Sequence, residues 1–456
     1  MYFALYVLLL FYFLTIMYIV KRYRVDFFDP LLLFLVSSVI ISLITASRLV
    51  IYETVFTPES FVFLLCCITA FVCGSLIQIK SSRSISTRTD VDVNSNVFIY
   101  ILCFLSLIYI VLSFKDIISK GLSFNQSLGE LRAIFFEDVD DAKELGIESI
   151  VKGVSKSIAI LYIALLPYFK SEKSKRHFYL AIITLAVIFI DTALQGGRTF
   201  FIYAIVLIFI SYNNLLLANG KVNPFLRSRK QLIRFSFIGL LVFIGLFGVF
   251  PAMRNPKLVD AVNTFVGLHH KNAKVSENIV AFVDKNEYSN GLLALSFGST
   301  YFSAPLVKFN YYYSDLRVYE WEGNGVYNFP IFEKMFTLTN KKHFAFREDI
   351  KVLSLIDGND SNPWSTGFRD FSIDFGRLGG IFFCFISSFF FRKSYNLFFE
   401  KKNYFMLLLS SLTSFFSFLI PFYSPYIVLG QSLIILIILY YAYRFLIYII
   451  TTIEKK

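Results

Sequence analysis

The sequence predicts an all-α protein that crosses a membrane many times. Of its 456 residues 56% are hydrophobic and only 17% are charged, whereas soluble proteins average about 25% charged residues. Apolar runs of about 20 residues, the length that crosses a bilayer as a helix, recur along most of the chain. These two observations indicate a polytopic membrane protein with about 11 helices.

The apolar runs follow one another through short connections over most of the chain. They lie at 2–20, 30–50, 61–79, 97–114, 151–169, 179–195, 200–217, 235–253, 378–391, 404–422 and 426–449.

Basic residues between the runs predict the orientation. Lys21, Arg22 and Arg24 follow the first run, which has no basic residue ahead of it and no small-residue cleavage site after it, so we expect a retained span. Because short cytoplasmic loops collect Lys and Arg, the N-terminus is predicted outside (periplasmic) and the C-terminus inside. The other basic segments then also fall inside, at 80–88, 170–176, 221–234, 392–402 and the C-terminal EKK.

The net charge of +12 is explained by this topology and by contact with anionic lipid headgroups. No soluble basic domain carries it, so membrane lipids are expected partners and nucleic acid is not. The cysteines all lie within apolar runs, which excludes disulfides and cysteine-based metal sites from the outer loops. We expect no metal and no cofactor.

Two outer loops divide the chain into three parts. Residues 1–253 hold the first eight helices with a smaller loop at 115–149, residues 254–377 form a large periplasmic loop, and residues 378–456 hold the last three helices. A connection as long as 254–377 is rare unless it has a function. Its aromatic and glycine content predicts a compact cap of short helices.

Several arginines lie at the outer ends of the runs, where positive charge is normally avoided. Arg198 follows Gly196 and Gly197, two residues that permit a tight reversal between helices. The other arginines of this kind are Arg48, Arg254, Arg369 and Arg377. One guanidinium group can donate two parallel hydrogen bonds to phosphate oxygens, so a lipid diphosphate is the expected ligand of these arginines. The alternative for each arginine is that its side chain extends to the phosphate groups of ordinary lipids.

Asp191 is an acidic residue inside the sixth apolar run. A carboxylate at the bilayer centre costs about 2.5–3.5 kcal/mol, so it indicates a functional site with a partner. The alternative is a buried structural pair with an arginine on a neighbouring helix.

The segment from Thr366 onward predicts an amphipathic helix that runs along the outer interface into the membrane. Its apolar face would carry Phe368, Phe371, Phe375 and Leu378. Its polar face would carry Asp370, Asp374 and Arg377. The alternative is that these Asp and Arg side chains pair with one another and only keep one face of the helix in contact with solvent.

Three features of the chain are informative together: the stretch GGRTFF (196–201), the stretch NPWSTGFRDFSIDFGRLGG (362–380), and one large outer loop between the eighth and ninth runs. In these features the chain resembles the O-antigen polymerase (oligosaccharide repeat-unit polymerase) family. The resemblance implies an enzyme of the bacterial inner (cytoplasmic) membrane with a GT-C-like fold. Such enzymes transfer a growing glycan from undecaprenyl diphosphate to the next lipid-linked repeat unit at the periplasmic face. A chain-length regulator and a flippase are the partners that the resemblance implies.

Some members of that family carry an arginine followed, after ten residues, by a glycine in the outer loop. Arg347 with Gly358 and Arg369 with Gly380 match this pattern.

Glycosyl transfer from a diphosphate needs positive charge at the leaving group and a base for the incoming hydroxyl. Arginines supply the first without a metal. The candidate bases are His343, His270, Asp370 and Asp374. A histidine has an ordinary pKa of about 6.5, which suits a base, whereas the pKa of a carboxyl would have to be raised by burial.

Three alternatives remain open at this point. An O-antigen ligase differs from a polymerase in its acceptor. A metal-dependent transferase would use Asp140 and Asp141 as its metal site and would lose activity in EDTA. A lipid-linked oligosaccharide flippase, which is not an enzyme, predicts charges along a path through the spans.

The orientation is testable with reporter fusions. A fusion after Ser228 is expected to report a cytoplasmic position and one after Ala345 a periplasmic position, because the basic segments mark the inner side. Paired phosphatase and fluorescent-protein reporters measure both positions, and the reverse pattern would overturn the orientation.

Overall fold

The computed structural model describes residues 2–23, 26, 28–52, 56–78, 95–119, 147–172, 174–194, 199–221, 273–278, 281, 305–307, 309–310, 313, 328–329 and 366–453. These residues form eleven α-helices and two short strands. In chain order they are α1 (Tyr2–Tyr23), α2 (Pro30–Ala46), β1 (Val50–Tyr52), α3 (Pro58–Ile77), α4 (Ser95–Ser119), α5 (Ile147–Ala164), α6 (Leu166–Ser171), α7 (Lys175–Leu194), α8 (Thr199–Ala218), β2 (Ala273–Val275), α9 (Gly367–Lys401), α10 (Tyr404–Leu419) and α11 (Pro425–Ile453).

Five of the described helices contain segments long and apolar enough to cross a membrane: Phe3–Tyr23, Pro58–Ile77, Val97–Ser119, Phe200–Ala218 and Gly367–Lys401. Shorter apolar helices cover Pro30–Ala46, Tyr404–Leu419 and Leu429–Phe445. The prediction of an all-α, multi-pass membrane protein is therefore confirmed. The count of eleven spans and the orientation stay predictions, and the predicted span 235–253 lies outside the described residues.

The chain divides into two compact units. The first comprises Met1–Arg83, Pro224–Lys393 and Phe416–Val428, and the second comprises Ser84–Asn223, Ser394–Phe415 and Leu429–Lys456. Each of the last three helices contributes residues to both units.

In the first unit, proline residues and capping hydrogen bonds explain where α2 and α3 begin. Each has proline in its first turn, where the missing N–H costs nothing. The Asp29 side chain accepts a hydrogen bond from the Leu31 backbone N–H at 3.0 Å. Thr57 and Ser60 form a reciprocal capping box at the start of α3. These caps fix where the two helices begin.

The end of α2 lies within the apolar run predicted at 30–50. The helix ends at Ala46, and Arg48 has a φ of 55°. Val50, Ile51 and Tyr52 then form β1, which pairs antiparallel with β2, with Val50 opposite Val275. Because β2 belongs to the large loop, this ladder joins the loop to the end of α2.

Helix α9 contains a sharp kink at Gly376. Its backbone angles, φ 69° and ψ 173°, lie in a region open essentially only to glycine. The kink separates an N-terminal arm, residues 367–375, from a C-terminal arm, residues 377–401. A Cβ added at Gly380 would lie 2.9 Å from the Ser372 hydroxyl oxygen, so the two arms approach closely.

Aromatic contacts also join the two arms. The Phe383 ring lies 4.9 Å from the Phe371 ring and 4.7 Å from the Phe375 ring, measured between centroids. The expected amphipathic surface helix is therefore wrong for the N-terminal arm, which is buried on both of its faces. Leu378, in the C-terminal arm, is 81% exposed.

Replacing Gly376 by alanine is expected to destabilise the protein by about 1–3 kcal/mol, because alanine does not tolerate this backbone region. Gly153→Ala is the matched control, since Gly153 is helical and its added Cβ would meet its nearest atom only at 3.9 Å. The control should be stabilised by roughly 0.5–1 kcal/mol. Thermal unfolding in detergent measures both, and equal midpoints would contradict the kink.

Candidate functional site

The first candidate site is a buried group of charges on α9, called here the α9 cluster: Arg369, Asp370, Asp374 and Arg377 with their partners Asn328 and Ser424. The side chains of Asp370 and Asp374 are 0% and 1% exposed, and Arg369 is 5% exposed. A stripe that only solvates a helix face would be exposed, so that interpretation is wrong. The kink at Gly376 also removes Arg377 from the helical spacing that was expected to align it with the two acids.

The Asp370 carboxylate joins α9 to the connection between α10 and α11 in the first unit. Its Oδ1 atom accepts hydrogen bonds from Nε and a terminal nitrogen of Arg369, at 2.9 and 2.7 Å. Its Oδ2 atom accepts one from the Ser424 backbone N–H at 3.1 Å, in the connection between α10 and α11. The carboxylate also lies in the first turn of α9, where the helix dipole favours negative charge.

Asp374 is held by a residue of the large loop. Its Oδ2 atom accepts hydrogen bonds from the backbone N–H and the side-chain amide of Asn328, at 2.8 and 2.6 Å. The same amide group donates to the Asp370 carbonyl at 2.7 Å, and the Ser424 hydroxyl donates to the Asn328 amide oxygen. Asn328 therefore connects the loop, α9 and the α10–α11 connection.

Arg377 contacts a second loop residue. Its guanidinium carbon lies 4.3 Å from the centre of the Tyr313 ring, and one of its nitrogens donates to the Tyr313 carbonyl at 3.1 Å. The residue is half-buried and precedes the exposed Leu378. Of the charged residues in the α9 cluster, Arg377 is thus the one with the most access to a ligand.

The remaining predicted site residues divide into one that is exposed and several that the structure does not describe. Arg48 is exposed at the end of α2 and is not a member of the buried cluster. The residues outside the described part of the chain are Arg198, Arg254, Gly196, Gly197, His270, His343, Asp140 and Asp141. Within the described residues no group of three or more His, Cys, Asp or Glu side chains could hold a metal ion.

The second unit contains another, partly buried charge group, called here the Asp191 cluster: Tyr109, Asp116, Lys152, Lys156 and Asp191. Asp191 is 2% exposed, and its Oδ2 atom accepts hydrogen bonds from the Tyr109 hydroxyl at 2.8 Å and from Lys156 at 3.0 Å. Lys152 lies 3.5 Å from Oδ1 and also pairs with Asp116. Among the described residues, the partners of Asp191 thus include two lysines and a tyrosine.

Sequence reasoning overlooked Lys152 and Lys156, although a signal was present. The two lysines lie four residues apart in α5, so they occupy one helix face within a predicted apolar run. Two ammonium groups on one face of a membrane helix imply a buried anion, and Asp191 was already identified. Asn328 and Ser424 gave no such signal, because a single Asn or Ser in a loop is common.

Comparison of the chain with protein-family models, with curated proteins and with solved structures finds no match in any of the three.

Neutralising Asp370 is expected to destabilise the first unit. Asp370→Asn keeps the shape of the side chain but leaves the buried Arg369 without this counter-charge, and breaking a buried pair costs about 3–5 kcal/mol. Glu59→Gln is the control, because Glu59 is an exposed carboxylate in the first turn of α3. A lowered unfolding midpoint for Asp370→Asn alone supports the pair, whereas equal midpoints would contradict it.

Proposed function

We propose that this protein is an inner-membrane glycosyltransferase of the O-antigen polymerase type. It joins undecaprenyl-diphosphate-linked oligosaccharide repeat units into a surface polysaccharide at the periplasmic face, without a metal. Eleven spans, a periplasmic N-terminus and a GT-C-like arrangement belong to the same proposal. Its partners are the lipid-linked oligosaccharide, a chain-length regulator and a flippase.

The observation that carries the proposal is the α9 cluster. Two acids and two guanidinium groups lie in one nine-residue segment of the membrane helix α9. They contact Asn328 and Tyr313 of the large loop. A transferase that works on a lipid-linked sugar needs polar groups where a membrane helix meets an extramembrane segment, because its substrate has both an apolar and a polar part. The described contacts are of this kind.

The residues of the cluster suit different roles. Both carboxylate oxygens of Asp370 accept hydrogen bonds, so this residue is better suited to orient Arg369 than to take up a proton. The base for the acceptor hydroxyl then comes from His343, His270 or Asp374. Arg377 is a candidate ligand of the diphosphate together with Arg198, Arg254, Arg369 and Arg48, because guanidinium groups stabilise the negative charge of a leaving diphosphate.

A lipid-linked oligosaccharide flippase is the second candidate, and the Asp191 cluster favours it. Charged side chains inside membrane helices often mark a transport path. Here the partly buried Lys152 and Lys156 of α5 lie beside the buried Asp191 of α7. The pairing of these charges with one another is equally compatible with a structural role. An O-antigen ligase differs only in its acceptor.

Deleting the gene and displaying the surface polysaccharide on a gel separates these functions. A polymerase deletion is expected to leave single repeat units still attached to the lipid core. Accumulation of long lipid-linked glycan would identify a ligase, and repeat units retained on the inner leaflet would identify a flippase. Unchanged long chains would overturn the proposal.

Substituting the arginines tests the diphosphate role. Arg198→Ala and Arg377→Ala are each expected to lower polymerisation about a hundredfold or more, which is typical for loss of a group that stabilises developing charge. Arg198→Lys should recover little activity, because an ammonium group lacks the paired donors of a guanidinium.

Arg176→Ala is the matched control, because Arg176 is an exposed arginine in a predicted cytoplasmic segment. Chain length on gels and the amount of protein in the membrane are measured together. Normal long chains from Arg198→Ala would remove that residue from the diphosphate site.

A further inference from the structure

Uncharged polar side chains line the contact between α8 and α10 in the second unit. They are called here the α8–α10 seam: Ser211, Asn214, Ser410, Ser411 and Ser414. All five residues are 0% exposed. The Asn214 amide nitrogen lies 3.3 Å from Ser410 Oγ and 3.4 Å from Ser411 Oγ, so the amide group itself lies between the two helices.

Two contacts show that α8 and α10 run antiparallel along the seam. Asn214 of α8 contacts Ser410 of α10, whereas the Tyr203 ring lies 5.3 Å from the Phe415 ring between centroids. The residue number therefore falls along α10 as it rises along α8. Residues that precede Asn214 thus lie beside residues that follow Ser410.

Three polar atoms of the seam have no hydrogen-bond partner among the described residues: Ser211 Oγ, Asn214 Oδ1 and Ser414 Oγ. Ser211 lies about one helical turn before Asn214, and Ser414 lies about one turn after Ser410. In antiparallel helices these two serines are at the same level. The three atoms therefore belong to one short stretch of the seam.

The two serine hydroxyl groups differ from other buried serines of this chain. Ser38, Ser106 and Ser372 each donate to the backbone carbonyl four residues earlier in their own helix. Ser211 and Ser414 make no such bond, so their hydroxyl groups are available to a ligand between the helices. Leaving a buried polar group without a partner inside a membrane helix bundle is strongly destabilising.

The polar atoms define the chemistry of that ligand. Asn214 Oδ1 can only accept, so the ligand must donate to it, whereas the hydroxyl groups can donate or accept. The seam side chains are uncharged, and an ion beside them would gain no counter-charge from them, so the ligand is neutral. Helical residues three or four apart have Cβ atoms about 5–6 Å apart, a distance that one water molecule bridges with two hydrogen bonds of about 2.8 Å.

We propose that the α8–α10 seam binds ordered water, which donates to Asn214 Oδ1 and hydrogen-bonds to the Ser211 and Ser414 hydroxyl groups. Buried water of this kind typically makes about three hydrogen bonds to polar groups that the protein leaves unpaired. The bound water joins α8 to α10 where lipid gives the helices little reason to associate. The inference goes beyond the proposed function and does not depend on it.

Single alanine variants test whether the two hydroxyl groups have a ligand. Ser211→Ala and Ser414→Ala are each expected to lower the midpoint of thermal unfolding in lipid nanodiscs by about 1–3 °C, because each removes a hydrogen bond to water. A hydroxyl group without a ligand would give a constant or raised midpoint, since its removal relieves the burial of an unpaired polar group.

Ser106→Ala is the matched control for both variants. Ser106 is equally buried in the same unit, but its hydroxyl donates within its own helix to the Leu102 carbonyl. Such a bond contributes little to helix stability, so the midpoint should stay constant.

Radiolytic labelling tests whether the ligand is water. X-rays split bound water into hydroxyl radicals that oxidise adjacent side chains, and water enriched in heavy oxygen marks the product. Phe415, at the α8–α10 contact, is expected to take up several times more label than Phe34, a fully buried ring that stacks on Phe71. In the double variant Ser211→Ala/Ser414→Ala the label at Phe415 should fall to the level at Phe34.

The proposal stands only if both single variants lower the midpoint and Phe415 takes up the label. Constant or raised midpoints overturn it, because the hydroxyl groups then have no ligand. Lowered midpoints without label at Phe415 also overturn it, because the ligand is then not water. Neither result affects the proposed function, which the chain length of the surface polysaccharide tests separately.

Discussion

The need to pair buried charge determines much of this structure. An ionised group in a low-dielectric interior is strongly destabilising unless it has partners. Each buried aspartate in the described part of the chain has them: Arg369 and Ser424 at Asp370, Asn328 at Asp374, Lys152, Lys156 and Tyr109 at Asp191, and Arg392 at Asp29. Except for Arg369, which is adjacent to Asp370, these partners come from separate parts of the chain, so the pairings also fix elements relative to one another within their unit.

Such polar contacts matter more in a membrane than in water, because lipid gives helices little hydrophobic reason to associate. Close packing of small residues contributes as well. A Cβ added at Gly74 would overlap the Phe385 carbonyl oxygen, so α3 and α9 touch through their backbones in the first unit. In the second unit the Asn214 amide donates to Ser410 and Ser411, which joins α8 to α10. The first unit thus combines polar pairs with close backbone contact, and the second combines them with side-chain hydrogen bonds between helices.

The helices could be predicted from the sequence, because a helix that crosses a bilayer must have a limited range of lengths and a mostly apolar composition. It did not reveal the kink at Gly376, since glycine is common in membrane helices and its φ depends on tertiary packing. The β1–β2 ladder was also hidden, because a three-residue strand has no periodicity and its partner lies more than 200 residues away. Among the site residues, Asp370 and Asp374 were identified by their charge, but their burial and their partner Asn328 depend on the fold.

Charge balance limits where an anionic substrate can bind. The α9 cluster sets Arg369 and Arg377 against Asp370 and Asp374, and the Asp191 cluster sets Lys152 and Lys156 against Asp116 and Asp191. Counted over the described residues, neither cluster carries more positive than negative charge, so a diphosphate bound at either one would have to displace an acid or be met by additional cations. Cations outside the two clusters would therefore have to contribute to a diphosphate site, and the buried acids of the clusters are better suited to hold helices together than to bind an anion.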